Sequence, residues 1–427
     1  MGLFNKNKQT DELIKPADDV ILALDIGTEY VKTIIAREKH GELEIIGVGK
    51  AHQSSGNMFD GAIADIPGVV SVCEKALTRA ENMAGVTCRN AVVGIAGELV
   101  KGNTSTIRYR RKNGNKPLSE QEMALIIDRV QEKAGAEARS EVALETNNPD
   151  VEIRLINSAI VGLHIDGYKI SNPIGFKGTD VQVQLYTAFA PLVHISAIEK
   201  VCAELNLDLV AVAVEPFAVC RACLGDDVEN DFSGIVMDIG GGTTDIAVVD
   251  DGGVEGTKMF SIGGRSFTHQ ISQALGVDFA TAEKYKLMLD DADRDEKIDA
   301  KILAKIEKGI KRNLAVWLSG IQLTLEDFNL TEMLPSSILL CGGGAGLLDL
   351  QEALATTNWY NDLPFSRRPV VRLVSASEIP DIKNATDAEL DHSFITALGL
   401  LRVALDTAAG EQDDNSLRGR IERLLQN

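Results

Sequence analysis

Hydrophobic and polar positions change period several times along the chain, and the changes outline its elements. From Val20 the run VILALDIG is apolar nearly throughout and ends at a glycine, which predicts a buried strand entering a tight turn. VKTIIAREKHGELEIIGVGKA continues as alternating strands separated at Gly41. Residues 67–85, PGVVSVCEKALTRAENMAG, set apolar side chains at helical spacing and stop at Gly85, and NAVVGIAG reads as a further short strand. Residues 1–19 are polar and mixed in sign, which predicts a flexible leader.

Between about Glu98 and Val183 the texture changes. The basic turn RYRRKNGNKP leads into a helix whose start carries a capping box, Ser119 and Glu122. Strands follow at 151–165, then the glycine- and proline-bearing turn DGYKISNPIGFKGTD. This stretch, 98–183, reads as a small α+β insert in a first half made of 20–97 and 184–222. The second half, 223–405, repeats the opening. GIVMDIGGGTTDIAVVDDGG is again strand, glycine turn and strand; a mainly helical stretch, 264–330, and SSILLCGGGAGLLDL follow. An acidic small-residue linker, 406–416, precedes an amphipathic tail, 417–427. The fold class is therefore α/β, two duplicated halves around a cleft with a small inserted domain.

The duplicated segments carry the chemistry. In LDIGTEYVK a strand delivers Asp25 to a turn where Gly27 lets amide N–H groups face a phosphate. Thr28 adds a hydroxyl, and Lys32 is a point charge within reach of a β- or γ-phosphate. Asp25 would hold Mg²⁺ through water, because magnesium keeps much of its hydration shell. In MDIGGGTTDIAVVDDG, Gly240, Gly241, Gly242, Thr243 and Thr244 can wrap a phosphate from the other side, with Asp238 mirroring Asp25 and Asp245 a further carboxylate near the metal. Either hairpin alone reads equally as an ordinary turn; two matched copies predict phosphate-gripping loops facing each other over MgATP. In LLCGGGAGLLDL, Gly342, Gly343 and Gly344 either let a flat ligand lie on the backbone or serve a close helix–strand contact.

Composition narrows the class. The chain has 427 residues, enough for more than one core, and a formal net charge of −20, which argues against nucleic acid as a partner of the folded body and is compatible with a basic peptide. No run is long and apolar enough to span a bilayer and no secretory h-region is present, so a cytoplasmic location is expected. Cys220 and Cys223 form a C-x-x-C pair in the apolar EPFAVCRACLG, where packing is favoured over metal or redox chemistry because no second pair or nearby histidine accompanies it.

Three glycine motifs in this order and spacing resemble the actin-like ATPase superfamily. NMFDGAIADI, DGYKISNPIGFKG and SIGGRSFTHQISQALGVDFATAEKYKL are similar to segments of the bacterial cell-division family FtsA. The resemblance covers 20–405 and implies an ATP- and Mg²⁺-binding scaffold that self-associates and links the tail of FtsZ to the inner membrane face at the division site, with slow or absent hydrolysis. It also implies nucleoside contacts at Glu283 and Lys286, which could otherwise belong to a solvated helix face. Glu215 falls where the superfamily places a water-orienting residue; a helix-start glutamate near the dipole is the equal alternative.

Two features depart from that pattern. The stretch after Lys286 is short and helical, without the strand pair expected at an FtsZ-tail site, and fits PilM-like proteins of type IV pilus assembly, which bind a short peptide from a membrane partner. The tail NSLRGRIERLLQN sets Leu417, Ile421, Leu424 and Leu425 on one helical face beside three arginines, but lacks the bulky aromatics of a membrane-surface helix. It could lie on lipid, dock on protein or stay unfolded. A metabolic kinase, a third class, would need an acceptor pocket and a catalytic aspartate in a substrate loop, which the sequence does not display.

Overall fold

The computed structural model describes residues 15–16, 19–39, 42–224, 232–289, 298–328 and 333–412. The first half is built on β1 (Val20–Ile26), β2 (Tyr30–Lys39), β3 (Glu42–His52), α1 (Ile66–Ala84) and β4 (Asn90–Ile95). β1 is buried at six of seven positions, as expected of a central strand covered on both faces. α1 ends at Gly85, whose φ of 68° is the left-handed C-cap that a side chain would oppose.

The insert comprises β5 (Lys101–Arg110), α2 (Glu120–Thr146), β6 (Ile153–Ile165) and β7 (Asp180–Pro191), with α2 lying on the sheet over a core of Met123, Ile127, Val130, Leu163 and Val183. α3 (Leu192–Glu204), β8 (Asp208–Val214) and α4 (Glu215–Leu224) lead out of it. The second half holds β9 (Gly234–Ile239), β10 (Thr244–Asp250), β11 (Gly253–Phe260), α5 (Gly264–Leu275), α6 (Phe279–Met288), α7 (Ala300–Glu326), β12 (Ser337–Cys341), α8 (Leu348–Thr356) and β13 (Val370–Leu373). The short strand β14 (Ile382–Asn384) and α9 (Ile395–Gln412) close the described chain.

Two sheets result. One has the order β8-β4-β1-β2-β3-β14; the other runs from the short strand Tyr168–Lys169 through β6-β7-β5-β11-β10-β9-β12-β13. The insert is therefore not a separate sheet: β5 joins β11 through the pairs Asn103–Gly256 and Gly102–Thr257.

Several sequence boundaries move. β7 runs unbroken past residue 183 to Pro191, so the insert's sheet reaches eight residues into the stretch assigned to the first half. The second half does not run to 405 as one body, because β14 pairs with β3 and α9 packs on β1, β4 and α4 of the first half. The apolar spacing of α9 gives no sign of which half it covers. α9 also continues to Gln412, through the start of the expected 406–416 linker, since its alanines favour helix. In the expected leader, Lys15–Pro16 pairs with Val86–Thr87 as a short parallel ladder, and Asp19 bonds Arg37. The capping box is half made: Ser119 accepts from the Glu122 amide, but the Glu122 carboxylate accepts from Arg111 at 2.8 and 3.0 Å instead. The tail residues Leu417, Ile421, Leu424 and Leu425 lie outside the described residues.

Candidate functional site: a glycine-lined cleft between matched hairpins

The two duplicated turns superpose in their bonding. The Gly27 N–H donates to the Tyr30 carbonyl at 3.2 Å, and 213 positions later the Gly240 N–H donates to the Thr243 carbonyl at 2.9 Å. Cross-strand pairs sit just below each turn, Asp25 opposite Lys32 and Asp238 opposite Asp245. The hairpin tips meet directly. A Cβ on Gly241 would lie 2.7 Å from the Glu29 Cβ, and one on Gly242 would lie 3.0 Å from the Thr28 methyl. Glycine is needed there for hairpin-to-hairpin approach, a reason the sequence reading had assigned to phosphate alone.

Between the hairpins opens a cleft of about 370 Å³. Asp25, Gly27, Thr28, Lys32, Glu215, Asp238, Gly240, Gly241, Thr243, Asp245, Glu283, Lys286, Gly342, Gly343 and Gly344 all line it. Two expected residues do not. Gly242 stands behind the tip against Thr28. Thr244 is wholly buried, its hydroxyl donating to the Ile262 carbonyl at 2.7 Å and accepting from Trp317 Nε1 at 3.0 Å, so it ties the hairpin to α7 and has nothing left for a ligand. Alternation along β10 accounts for this: Thr243 and Asp245 face the cleft, and Thr244 faces the core.

The three-glycine turn has both meanings that its sequence allowed. Gly342 takes φ 82°, and a Cβ on it would lie 2.0 Å from Asp238 Oδ1; a Cβ on Gly344 would lie 2.7 Å from the Ile239 side chain. These two permit close contact with β9. Gly343 meets only Ser393 at 3.9 Å and leaves its surface to the cleft. At the far wall Lys286 donates to Thr268 at 2.9 Å and to the Gly264 carbonyl at 3.2 Å, and pairs with Glu283 at 2.8 Å. Glu283 and Lys286 thus belong to the cleft wall and not to a solvated face.

At the centre Lys32 donates to Asp25 at 2.7 Å. Burial works against the Lys32 charge, but Asp25, then Asp238 and Glu215, outweigh it and raise its pKa. Burial pushes Glu215 well above the usual carboxylate range, helped by Asp25, Asp245 and Asp238. Asp245 is raised to about 8, by burial and then by Asp238. Asp238 is also raised by burial, against the Thr396 hydroxyl and Lys32. Glu215 opens α4 and is at once a helix-start residue and a cleft residue; Gly94 makes its room, since a Cβ there would lie 2.8 Å from Glu215 Oε1.

Four buried carboxylates share this centre with one lysine, an excess of negative charge that suits an entering divalent cation. Among the described residues no group of three or more His, Cys, Asp or Glu side chains could hold a metal ion directly. The thiols of Cys220 and Cys223 are both raised by burial, Cys223 to about 12, which suits packing.

Sequence reasoning missed several lining residues. Lys50 enters from β3, Asp391, His392 and Ser393 from the short 3-10 turn that precedes α9, and Thr396 from the start of α9, segments without a glycine motif. Burial lowers the Lys50 pKa, with Lys32 adding to the effect and Asp391 and Asp25 opposing it. Glu29 and Arg265, 3.7 Å apart, connect the halves across the cleft mouth.

The model of the family "Cell division protein FtsA" matches residues 235–399, from β9 through the three-glycine turn to the start of α9. FtsA of Bacillus subtilis is 24% identical over 414 residues, 92% of this chain and 84% of that protein. The chain is similar to FtsA over most of its length. FtsA of Pseudomonas aeruginosa is 25% identical over 413 residues, 90% and 89% of the two chains, and FtsA of Enterococcus faecalis is 25% identical over 356 residues, 79% and 77%. A solved PilM–PilN type IV pilus biogenesis complex contains a chain of similar fold, with TM-score 0.64 and 18% identity over 90% of this chain and 98% of that one. The fold is actin-like, and the residues matched by the family model, 235–399, carry the second hairpin, Glu283, Lys286 and the three-glycine turn.

Proposed function

We propose that this protein is an ATP-binding, actin-like scaffold of bacterial cell division that self-associates and links FtsZ filaments to the inner face of the cytoplasmic membrane. The observation that carries the reading is the pair of matched hairpins, Asp25–Gly27 and Asp238–Gly240, meeting at the floor of a glycine-lined cleft, in a chain related to FtsA. Gly27, Thr28, Gly240, Gly241 and Thr243 would hold the phosphates, Gly343 would lie under the nucleoside, and Glu283 and Lys286 would flank it. Mg²⁺, held through water by Asp25, Asp238 and Asp245, would supply positive charge among the phosphates. Glu215 would orient a water in any turnover.

α7 supports an acidic partner peptide. Lys301, Lys305, Lys308 and Arg312 are exposed at i, i+4, i+7 and i+11, one face of the helix, in a chain of net charge −20. Lys301 occupies the first turn, where the helix dipole disfavours a cation. The FtsZ tail is the peptide proposed to use it. No helix among the described residues is long and apolar enough to cross a membrane; the 417–427 tail, with Leu417, Ile421, Leu424 and Leu425 at helical spacing beside three arginines, is the segment proposed to lie on it.

The second reading is a PilM-like role, favoured by the helical character of 264–328, where no strand occurs among the described residues. Pull-down with a synthetic FtsZ tail peptide and, in parallel, a pilus-protein N-terminal peptide separates the two. Capture of the FtsZ peptide, reduced when Lys305 and Lys308 become glutamate, supports the division scaffold; capture of only the pilus peptide replaces it. Liposome co-sedimentation of the full chain beside a chain ending at Asp406 tests the tail, and equal pelleting removes the membrane assignment.

A further inference from the structure

The strand register places a second lysine in the cleft beside Lys32. In the β2–β3 ladder Lys32 is directly opposite Lys50, so Asp25, Lys32 and Lys50 form one row across β1, β2 and β3. Directly opposed residues of an antiparallel pair project to the same face, and like charges in that position are destabilising. Lys32 is offset by Asp25 at 2.7 Å. Lys50 forms no ion pair with a carboxylate among the described residues; its ammonium rests 4.5 Å from the Tyr30 ring centroid and 5.6 Å from that of Phe394. The other two cations of the cleft have carboxylates: Lys286 has Glu283 at 2.8 Å and Arg265 has Glu29 at 3.7 Å.

We infer that Lys50 is a phosphate-binding residue of the nucleotide cleft, the cation reserved for the phosphate chain while Lys32 is committed to Asp25. This rests on the nucleotide reading above and deepens it. An anion set between Lys32 and Lys50 converts a repulsive cross-strand pair into a shared contact. The Tyr30 and Phe394 faces hold the ammonium without competing as acceptors, while Asp391 and Asp25 oppose the effect of burial on its charge. A lysine retained only for structure would have been better placed as an apolar residue on this half-buried face.

The experiment compares full-length wild type with Lys50→Met and Lys50→Arg, measuring affinity for ATP, ADP, AMP and adenosine with magnesium, and the melting temperature without ligand. Met keeps the unbranched stem between the two rings. The expected result is a loss of about tenfold or more for the phosphorylated ligands in Lys50→Met, as for a charge-assisted bond. Adenosine affinity would stay within about twofold, Lys50→Arg would recover at least part of the loss, and the ligand-free melting temperature would stay level or rise as the lysine repulsion is relieved. Equal affinity of wild type and Lys50→Met for ATP overturns the inference and leaves the nucleotide reading intact, as does a loss shared equally by adenosine or a lowered melting temperature. Wild type binding no adenine nucleotide would end both.

Discussion

Lys32 faces Asp25 across one hairpin at the position where Asp245 faces Asp238 across the other. Both pairs lie 213 residues apart in a duplicated strand–turn–strand, yet one is an ion pair and the other brings two carboxylates together. The two copies share the frame, but the second carries aspartate where the first carries lysine, and the centre is acidic. Asymmetry of this kind suits a ligand with both a polyphosphate and a cation.

The first prediction concerns Asp245. Burial raises its pKa to about 8, above the ordinary aspartate value, so the folded state binds its proton more tightly than the unfolded chain does. The ionised group therefore burdens the ligand-free fold fully above pH 8, progressively less as pH falls, and hardly at all below pH 4. Asp245→Asn should raise the melting temperature by several degrees at pH 8.5 and leave it nearly unchanged at pH 4, while weakening binding of Mg-nucleotide. Thermal scans of wild type and variant at both pH values check this; a variant less stable at pH 8.5 contradicts it.

Thr243 and Thr244 should separate cleanly. Thr244→Val leaves Trp317 Nε1 and the Ile262 carbonyl without their hydroxyl partner, at a cost of about 1–3 kcal/mol. Denaturant unfolding should show that loss while nucleotide affinity is preserved. Thr243→Val, in the cleft, should lower nucleotide affinity, and it also removes the hydroxyl that donates to Asp245 Oδ2 at 3.0 Å.

Glu215 is proposed to orient a water in any turnover. Glu215→Gln keeps the shape and the neutral form that burial favours, so the fold should hold. Phosphate release, if the wild type shows it, should fall by about a hundredfold, the scale of a lost proton acceptor. Release unchanged in Glu215→Gln and in Glu215→Ala would remove the residue from the chemistry.

Gly342→Ala places a methyl against Asp238 Oδ1 at a φ of 82°. Both the backbone strain and the displaced carboxylate should lower stability and nucleotide affinity together. Gly343→Ala, which meets nothing nearer than 3.9 Å, should alter affinity with little change in melting temperature.

Much of the cleft was legible because its residues sit at turns, where glycine, aspartate and threonine leave a local pattern. Gly27 and Gly240 announced themselves by the strands before them. Thr244 was misplaced because adjacency in a motif hides the alternation of a strand: its neighbours face the cleft and it faces Trp317. Lys50 and Asp391 were invisible for the opposite reason, since their role depends on which strand neighbours β2 and on α9 returning to the first sheet. The β5–β11 junction is likewise a tertiary fact, made by two residue pairs that no periodicity marks. Gly94 was a usable signal that went unread, a glycine inside a strand marking a close approach, here by Glu215.

Calorimetric titration of the purified full chain with ATP and magnesium tests the central claim most directly. Two hairpins clasping one nucleotide predict a saturable isotherm with one site per chain, strongly weakened by Asp238→Asn and by Gly241→Val, whose side chain would enter the contact with Glu29. No measurable heat at protein concentrations where wild type remains folded, or an isotherm that both substitutions leave unchanged, would contradict it.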